Sequence, residues 1–287
     1  MRWIGLANWV KLSICLLAAA HCSGAIAADD DGGVDPAAES SIVQAADPGY
    51  DAPPSAFEIG REAFLAKDYA TAYRSLHSAA EQGDALAQSA LGDMYLAGQG
   101  VDADNAEALS WYRSAAKQGE AKAQAALGRM YADGRGVPRD DEAAIKWFRL
   151  AAENEEPAAQ SSLGLMHLEG RGVEKDLAEA ASWLQMAALK GEPQAQINLG
   201  LMFRDGRGVE KDNAEAAQWF LRAAEQGNAL AQFHLGISYA EGRGVDQDRE
   251  EALKWLASAA EQGLAPAKDY LWAYSWASGR VSVESRH

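Results

Sequence analysis

Residues 85–120 read ALAQSALGDMYLAGQGVDADNAEALSWYRSAAKQGE, and residues 121–156 read AKAQAALGRMYADGRGVPRDDEAAIKWFRLAAENEE. The two stretches align without a gap, and the same frame continues through 157–192, 193–228 and 229–264. Trp111, Trp147, Trp183, Trp219 and Trp255 mark it, each 36 positions from the next. A period this strict is the signature of a stacked unit that cannot bury its apolar face alone and buries it against its neighbours.

Within the first block, Ala87, Leu91, Met94 and Tyr95 fall on one stripe of an α-helix, called helix A here. The helix is expected to stop at Gly98-Gln99-Gly100, and later copies at Gly134-Arg135-Gly136, Gly170-Arg171-Gly172, Gly206-Arg207-Gly208 and Gly242-Arg243-Gly244. Both glycines are read as ending the helix, since glycine adopts the left-handed turn without strain. Asp104/Glu107, Asp176/Glu179, Asp212/Glu215 and Asp248/Glu251 then have the spacing of a capping box at the start of a second helix, B. The second block departs, with Asp140 followed by Ala143. Ala108, Trp111, Tyr112, Ala115 and Ala116 form the apolar side of helix B.

The AQxxLGxMY frame, the Gly-Arg-Gly-Val loop and the Asp-led second helix with its Trp-aromatic pair resemble the Sel-one-like repeat family, relatives of the tetratricopeptide repeats. The resemblance covers roughly residues 58–278. It implies an all-α fold, an α/α solenoid of antiparallel helix pairs with about 13 helices, whose A helices line the concave surface. Residues 57–84 are expected to form a shortened, tetratricopeptide-like capping hairpin, because Gly60 to Gly83 spans 23 positions where Gly92 to Gly119 spans 27. Residues 265–287 are expected to be a capping helix and tail, with Trp272 in the column of the close-packing glycine. Tyr270, Tyr274 and Trp276 are expected to cover the last core face.

Arg2, Lys11, an apolar run from Leu12 to Ala20 and the small-x-small triplet Ala25-Ile26-Ala27 read as a signal peptide over 1–27, too short to span a bilayer. This implies export, to a periplasm if the bacterial setting of the family holds. Residues 28–56 carry seven acids, no base and four of the eight prolines, the composition of a disordered acidic linker. Cys15 and Cys22 both lie in the leader, so the mature chain has no thiol for a disulfide or metal site. Loss of Arg2 and Lys11 moves the formal charge from −16 to −18, which argues against nucleic acid and anionic membranes as partners.

No constellation for chemistry stands out from the repeat. Ser114-Ala115-Ala116-Lys117 matches the Ser-x-x-Lys motif of penicillin-recognising enzymes, and some members of the resembled family are described as β-lactamases. However, the companion Ser-Asp-Asn and Lys-Thr-Gly motifs are missing. The Gly-x-Gly loops lack the third glycine of a dinucleotide fingerprint. Arg135, Arg171, Arg207 and Arg243 lie beside Asp133, Glu169, Asp205 and Glu241, a pattern of local ion pairs. His77, His167, His234 and His287 have no metal-ligand spacing, and no cofactor is expected.

Binding specificity is then expected in the helix A columns that change from block to block. One reads Ser89, Ala125, Ser161, Ile197, Phe233, and the other Asp93, Arg129, Leu165, Leu201, Ile237. Leu165, Ile197, Leu201, Phe233 and Ile237 are the candidate apolar strip for a partner peptide or helix, the alternative being that they pack between neighbouring A helices. The expected function is that of a non-enzymatic, monomeric interaction scaffold or regulator in the bacterial envelope. A cell-wall or β-lactam hydrolase is the alternative.

Overall fold

The computed structural model describes residues 53–277, with side chains as far as Ser275. The signal peptide at 1–27, most of the acidic linker and the tail from 278 lie outside the described residues. The A helices are α1 (Ala56–Leu65), α3 (Ala85–Ala97), α5 (Ala121–Asp133), α7 (Pro157–Glu169), α9 (Pro193–Asp205), α11 (Ala229–Glu241) and α13 (Ala265–Ala277). The B helices are α2 (Tyr69–Glu81), α4 (Asn105–Lys117), α6 (Asp141–Glu153), α8 (Leu177–Leu189), α10 (Asn213–Glu225) and α12 (Arg249–Glu261). Each packs on the helices before and after it, which makes the all-α solenoid that the period implies.

Gly134 ends α5 in the left-handed conformation, with φ +70°, and its N–H returns to the Met130 carbonyl. Gly136 has φ +69° and a second constraint: a Cβ there would lie 2.6 Å from the carbonyl oxygen of Asn105, the first residue of the preceding helix B. The second glycine of the loop is thus demanded by contact between repeats. Helix termination alone, expected for both glycines, does not account for the second.

Each helix B is capped by its Asp, but not through a full capping box. Asp104 Oδ1 accepts from the N–H groups of Ala106 and Glu107 at 2.8 and 3.1 Å, while the Asp104 N–H donates to the Tyr95 carbonyl at 2.9 Å. The donor that a capping-box Glu would satisfy is therefore already engaged. Glu179 instead accepts from Trp183 Nε1 at 3.0 Å. Asp140 needs no Glu either, and accepts from Ala143 N–H at 2.9 Å.

The apolar layers lie between hairpins. Leu76 of α2 meets Leu91 and Met94 of α3, with Trp111 of α4 packed against them. Tyr112 of α4 meets Leu127 and Met130 of α5, with Trp147 of α6 against that layer. Each Trp closes the layer before its own hairpin and so joins three helices through one large apolar surface. Inside a hairpin the helices touch through glycine: a Cβ on Gly128 would sit 2.6 Å from the Phe148 ring.

A polar ladder runs beside these layers. Gln88, Gln124, Gln196 and Gln232 are buried, and each Nε2 donates to a carbonyl near the end of the preceding helix B at 3.1–3.3 Å. Each Oε1 accepts from the residue that ends its own helix B, Gln118, Asn154, Gln226 and Gln262 in turn, at 2.8–3.3 Å. The ladder ties together B-helix ends whose last carbonyls have no partner within the helix. The Gln of each Ala-Gln pair was legible as a repeat mark, but not as this link.

At the N-terminal end, Ser55 and Glu58 form a complete capping box on α1. At the other end Trp272 is 55 % exposed, in the column where the full repeats place a glycine against helix B. Tyr270 stacks on Tyr274 at 6.2 Å and meets Phe233 edge-on at 6.1 Å, so the cap covers part of the last layer. The Trp276 side chain lies outside the described residues. No helix among the described residues is long and apolar enough to cross a membrane.

Candidate functional site

Successive A helices touch one another, α3 with α5 and α5 with α7, so the A row is the tighter, inner side of the stack. The second variable column runs along this surface. Its N-terminal end is charged: Asp93 accepts a 2.6 Å hydrogen bond from the Tyr112 hydroxyl and lies within electrostatic range of Arg129 and Lys122. Surrounding protein raises the Asp93 carboxyl above its ordinary value despite that bond, and lies behind the strong upward shift of Tyr112 as well.

Toward the C-terminus the column becomes apolar. Leu165, Leu201 and Ile237 are half-buried, as is Phe233 of the neighbouring column. Ile197 differs: it is 1 % exposed, packed with Ala216 and Phe220 of α10, and offers no surface to a partner. The first column is buried at Ser89, Ala125, Ser161 and Ile197 alike and opens only at Phe233, so Ile197 is a core residue. Leu201 also touches that layer but keeps part of its side chain outside it.

The Ser-x-x-Lys match, the loop arginines and the histidines each have definite surroundings. Ser114 donates to the Ser110 carbonyl one turn back at 3.2 Å, and neither cavity described below is lined by Ser114 or Lys117. Arg135 pairs with Asp133 at 3.9 Å and Arg243 with Glu241 at 2.8 Å. Arg171 reaches further, to Asp141 of the preceding repeat at 2.8 Å, and Asp205 is taken by Arg204 at 2.7 Å. His167 is 5 % exposed in the aromatic column, with no partner on either ring nitrogen. The described residues include no cluster of three or more His, Cys, Asp or Glu able to hold a metal.

Cavities open among the described residues at both ends of the stack. One, of about 220 Å³, lies at the N-terminal end between Phe57, Phe64, Leu65, Leu86, Asp93 and Lys122. The other, of about 250 Å³, lies between α10 and α11 beside α13, lined by Arg204, Phe220, His234, Ile237, Ser238 and Tyr270. His234 stacks on Phe220, centroids 5.1 Å apart. Its burial, and then the Arg204 charge, push its pKa down to about 4, so the imidazole is neutral near pH 7.

Of the residues expected to bind, only Ile237 lines this second cavity. The sequence reading found no break in the repeat, yet one was legible: the column Met94, Met130, Met166, Met202 ends in Ser238. Arg204 likewise follows Leu96, Ala132 and Leu168, and His234 follows Ala90, Ala126, Ser162 and Asn198. His234 and Ser238 lie one turn apart on α11, and the fold brings Arg204 of α9 to them.

The Sel1 repeat family model matches residues 56–84, 85–120, 121–155, 157–192, 193–228 and 229–264, so the unit read as a shortened cap counts as a sixth repeat. A solved structure from uropathogenic Escherichia coli, c5321, described as a protective antigen displaying an SLR fold, is 38 % identical with a TM-score of 0.71. That match covers 80 % of this chain and 50 % of the other, so the chain spans only half the length of this relative. A Sel1 repeat protein from Oxalobacter formigenes is 31 % identical with a TM-score of 0.70, over 82 % of this chain and 100 % of that one. No curated protein matches. Six matched units, each a helix hairpin and together covering most of residues 56–264, show that the chain belongs to the Sel1 repeat family.

Proposed function

We propose that the protein is an exported, monomeric interaction scaffold or regulator of the bacterial cell envelope that holds a partner's peptide or helix along its A-helix surface. Sel1 repeat proteins are generally protein-interaction scaffolds, without catalytic activity. The observation that carries the reading is the column Asp93, Arg129, Leu165, Leu201, Ile237, charged at one end and apolar but unsealed at the other. A repeat fold needs no such gradient, because its layers close through the invariant columns. A segment with one charged and one apolar end fits it, anchored by side chains at helical or extended spacing.

Leu165, Leu201, Phe233 and Ile237 are the contact residues in this reading, and Ile197 supports them from beneath. The test is affinity capture from envelope extract with the wild-type chain and with Leu201→Ser/Phe233→Ser. Retention of one stoichiometric partner by the wild type, and its loss from a variant of unchanged helicity, is the expected result. Equal capture by both sinks the groove assignment. Export is tested separately by the N-terminal sequence of the periplasmic protein, expected to begin after Ala27.

A further inference from the structure

The cavity between α10 and α11 exists because the fifth repeat lacks a residue that the other four have. Met94, Met130, Met166 and Met202 are all buried in the layer between their helix A and the preceding helix B. Met202, for example, packs with Ala180 and Leu184 of α8. One repeat later the equivalents of those two are Ala216 and Phe220, both on the cavity wall, and the Met is replaced by Ser238. Emptying a packed position costs stability in proportion to the space left, and a hole of this kind lined by polar groups is unusual in a core. It is also smaller than the pockets that take drug-sized ligands, and suits one large side chain or a small acid.

The lining selects the chemistry. Phe220, Ile237 and the neutral ring of His234 stacked on Phe220 make an apolar wall. Two guanidiniums and one carboxylate, Arg204, Arg243 and Glu241, complete it. Glu241 is already engaged by Arg243 at 2.8 Å and approached by the Tyr270 hydroxyl at 3.5 Å. Asp205, outside the lining, takes Nε and Nη2 of Arg204 at 2.7 and 3.0 Å, which leaves Nη1 for another acceptor. With Asp205 counted, two guanidiniums face two carboxylates at this cavity, and the Arg204 donor left uncommitted is Nη1. A guanidinium donor beside an apolar wall matches a carboxylate attached to an apolar or aromatic body.

We infer that this cavity is a binding site for a carboxylate borne on an aromatic or large apolar group, either the last residue of a peptide or a free small acid. It is independent of whether a partner lies along the A helices, although Ile237 borders both surfaces. Arg204 binds the carboxylate, His234 and Phe220 flank the ring, and Ser238 supplies the room.

The probes are N-acetyl-L-phenylalanine and N-acetyl-L-phenylalanine amide, titrated into the full chain and followed through the histidine imidazole NMR signals, with His234 assigned by His234→Ala. The acid is expected to bind saturably to one site and shift His234, and the amide to bind at least about tenfold more weakly. Arg204→Leu, which restores the residue of Leu96 and Leu168, should bind both probes equally weakly. Ser238→Met, which restores the residue of four other repeats, should bind neither and unfold at higher denaturant. Ala-Ala-Phe with a free carboxyl binding more tightly than the acetylated acid assigns the site to peptide termini, and equal binding assigns it to free acids. Equal affinity of acid and amide in the wild type, binding retained by Ser238→Met, or no saturable shift of His234 overturns the inference. Any of these would leave the capture result along the A helices unaffected.

Discussion

The Lys190 ammonium donates to the backbone carbonyl of Glu155, one repeat earlier, at 2.6 Å and to its carboxylate at 3.2 Å. In doing so it leaves the polar ladder. Lys190 occupies the place that Gln118, Asn154, Gln226 and Gln262 hold in the other repeats, and Gln160 Oε1 is consequently buried with no donor. Glu155, its new partner, stands where Gly83, Gly119, Gly191, Gly227 and Gly263 stand elsewhere, and adopts φ +62°. One compensation accompanies two local costs.

Glu155→Gly should stabilise the protein by about 1 kcal/mol, because a left-handed backbone costs a non-glycine residue about 1–2 kcal/mol and glycine's chain entropy returns part of that. Adding Lys190→Gln should gain about 1 kcal/mol more by giving Gln160 its missing donor. Urea unfolding of both variants checks this. A double variant no more stable than Glu155→Gly would show that water already satisfies Gln160.

The same ladder predicts unequal costs for one substitution made at two places. Gln196→Leu removes two hydrogen bonds, one to the Ala188 carbonyl and one from the Gln226 amide, whereas Gln160→Leu removes only the one to the Ala152 carbonyl. The loss should be about 1 kcal/mol greater at 196 than at 160, measured from paired urea midpoints.

Glycines of similar backbone angle should likewise respond differently. Gly136→Ala places a Cβ against the Asn105 carbonyl and should cost about 3 kcal/mol or more. Gly119→Ala, at φ +89° with nothing within 4 Å, should cost only the backbone strain of about 1–2 kcal/mol. Comparable losses would mean that the second loop glycine serves termination alone.

His234 sets a pH dependence. With a folded pKa of about 4 against an ordinary 6.5, it binds fewer protons in the folded than in the unfolded chain between those values. Its contribution is therefore complete above pH 6.5 and is lost as pH falls toward 4. Between those limits the wild type should lose on the order of 2 kcal/mol more than His234→Ala, after allowance for solvent at the cavity mouth. Parallel stability curves for the two proteins would show that the imidazole is accessible enough to protonate without cost.

The 36-residue beat of tryptophans set the period, and the AQxxLGxMY frame with its Gly-Arg-Gly-Val loop and Asp-led second helix carried the family, because a packing contact repeated at fixed spacing leaves its residue type in every copy. The caps of helix B were legible for the same reason in Asp104 and its equivalents, although the Glu three residues on was misread. Its role depends on where the Asp N–H goes, and that acceptor, the Tyr95 carbonyl, lies across the loop.

Position within a column does not carry through to the end of the array. Ile197 and Phe233 share a column, yet α10 seals the first, while the second lies against the end cap and stays half-open. The second glycine of each loop and the Gln ladder also act between repeats, so their partners are separated by tens of residues and invisible to local pattern. The sequence by itself determined the unit and its count of helices. Only the tertiary structure decided that Arg204, His234, Ser238 and Tyr270, departures in three columns of the beat, meet around one cavity, because packing between repeats joins residues of different columns.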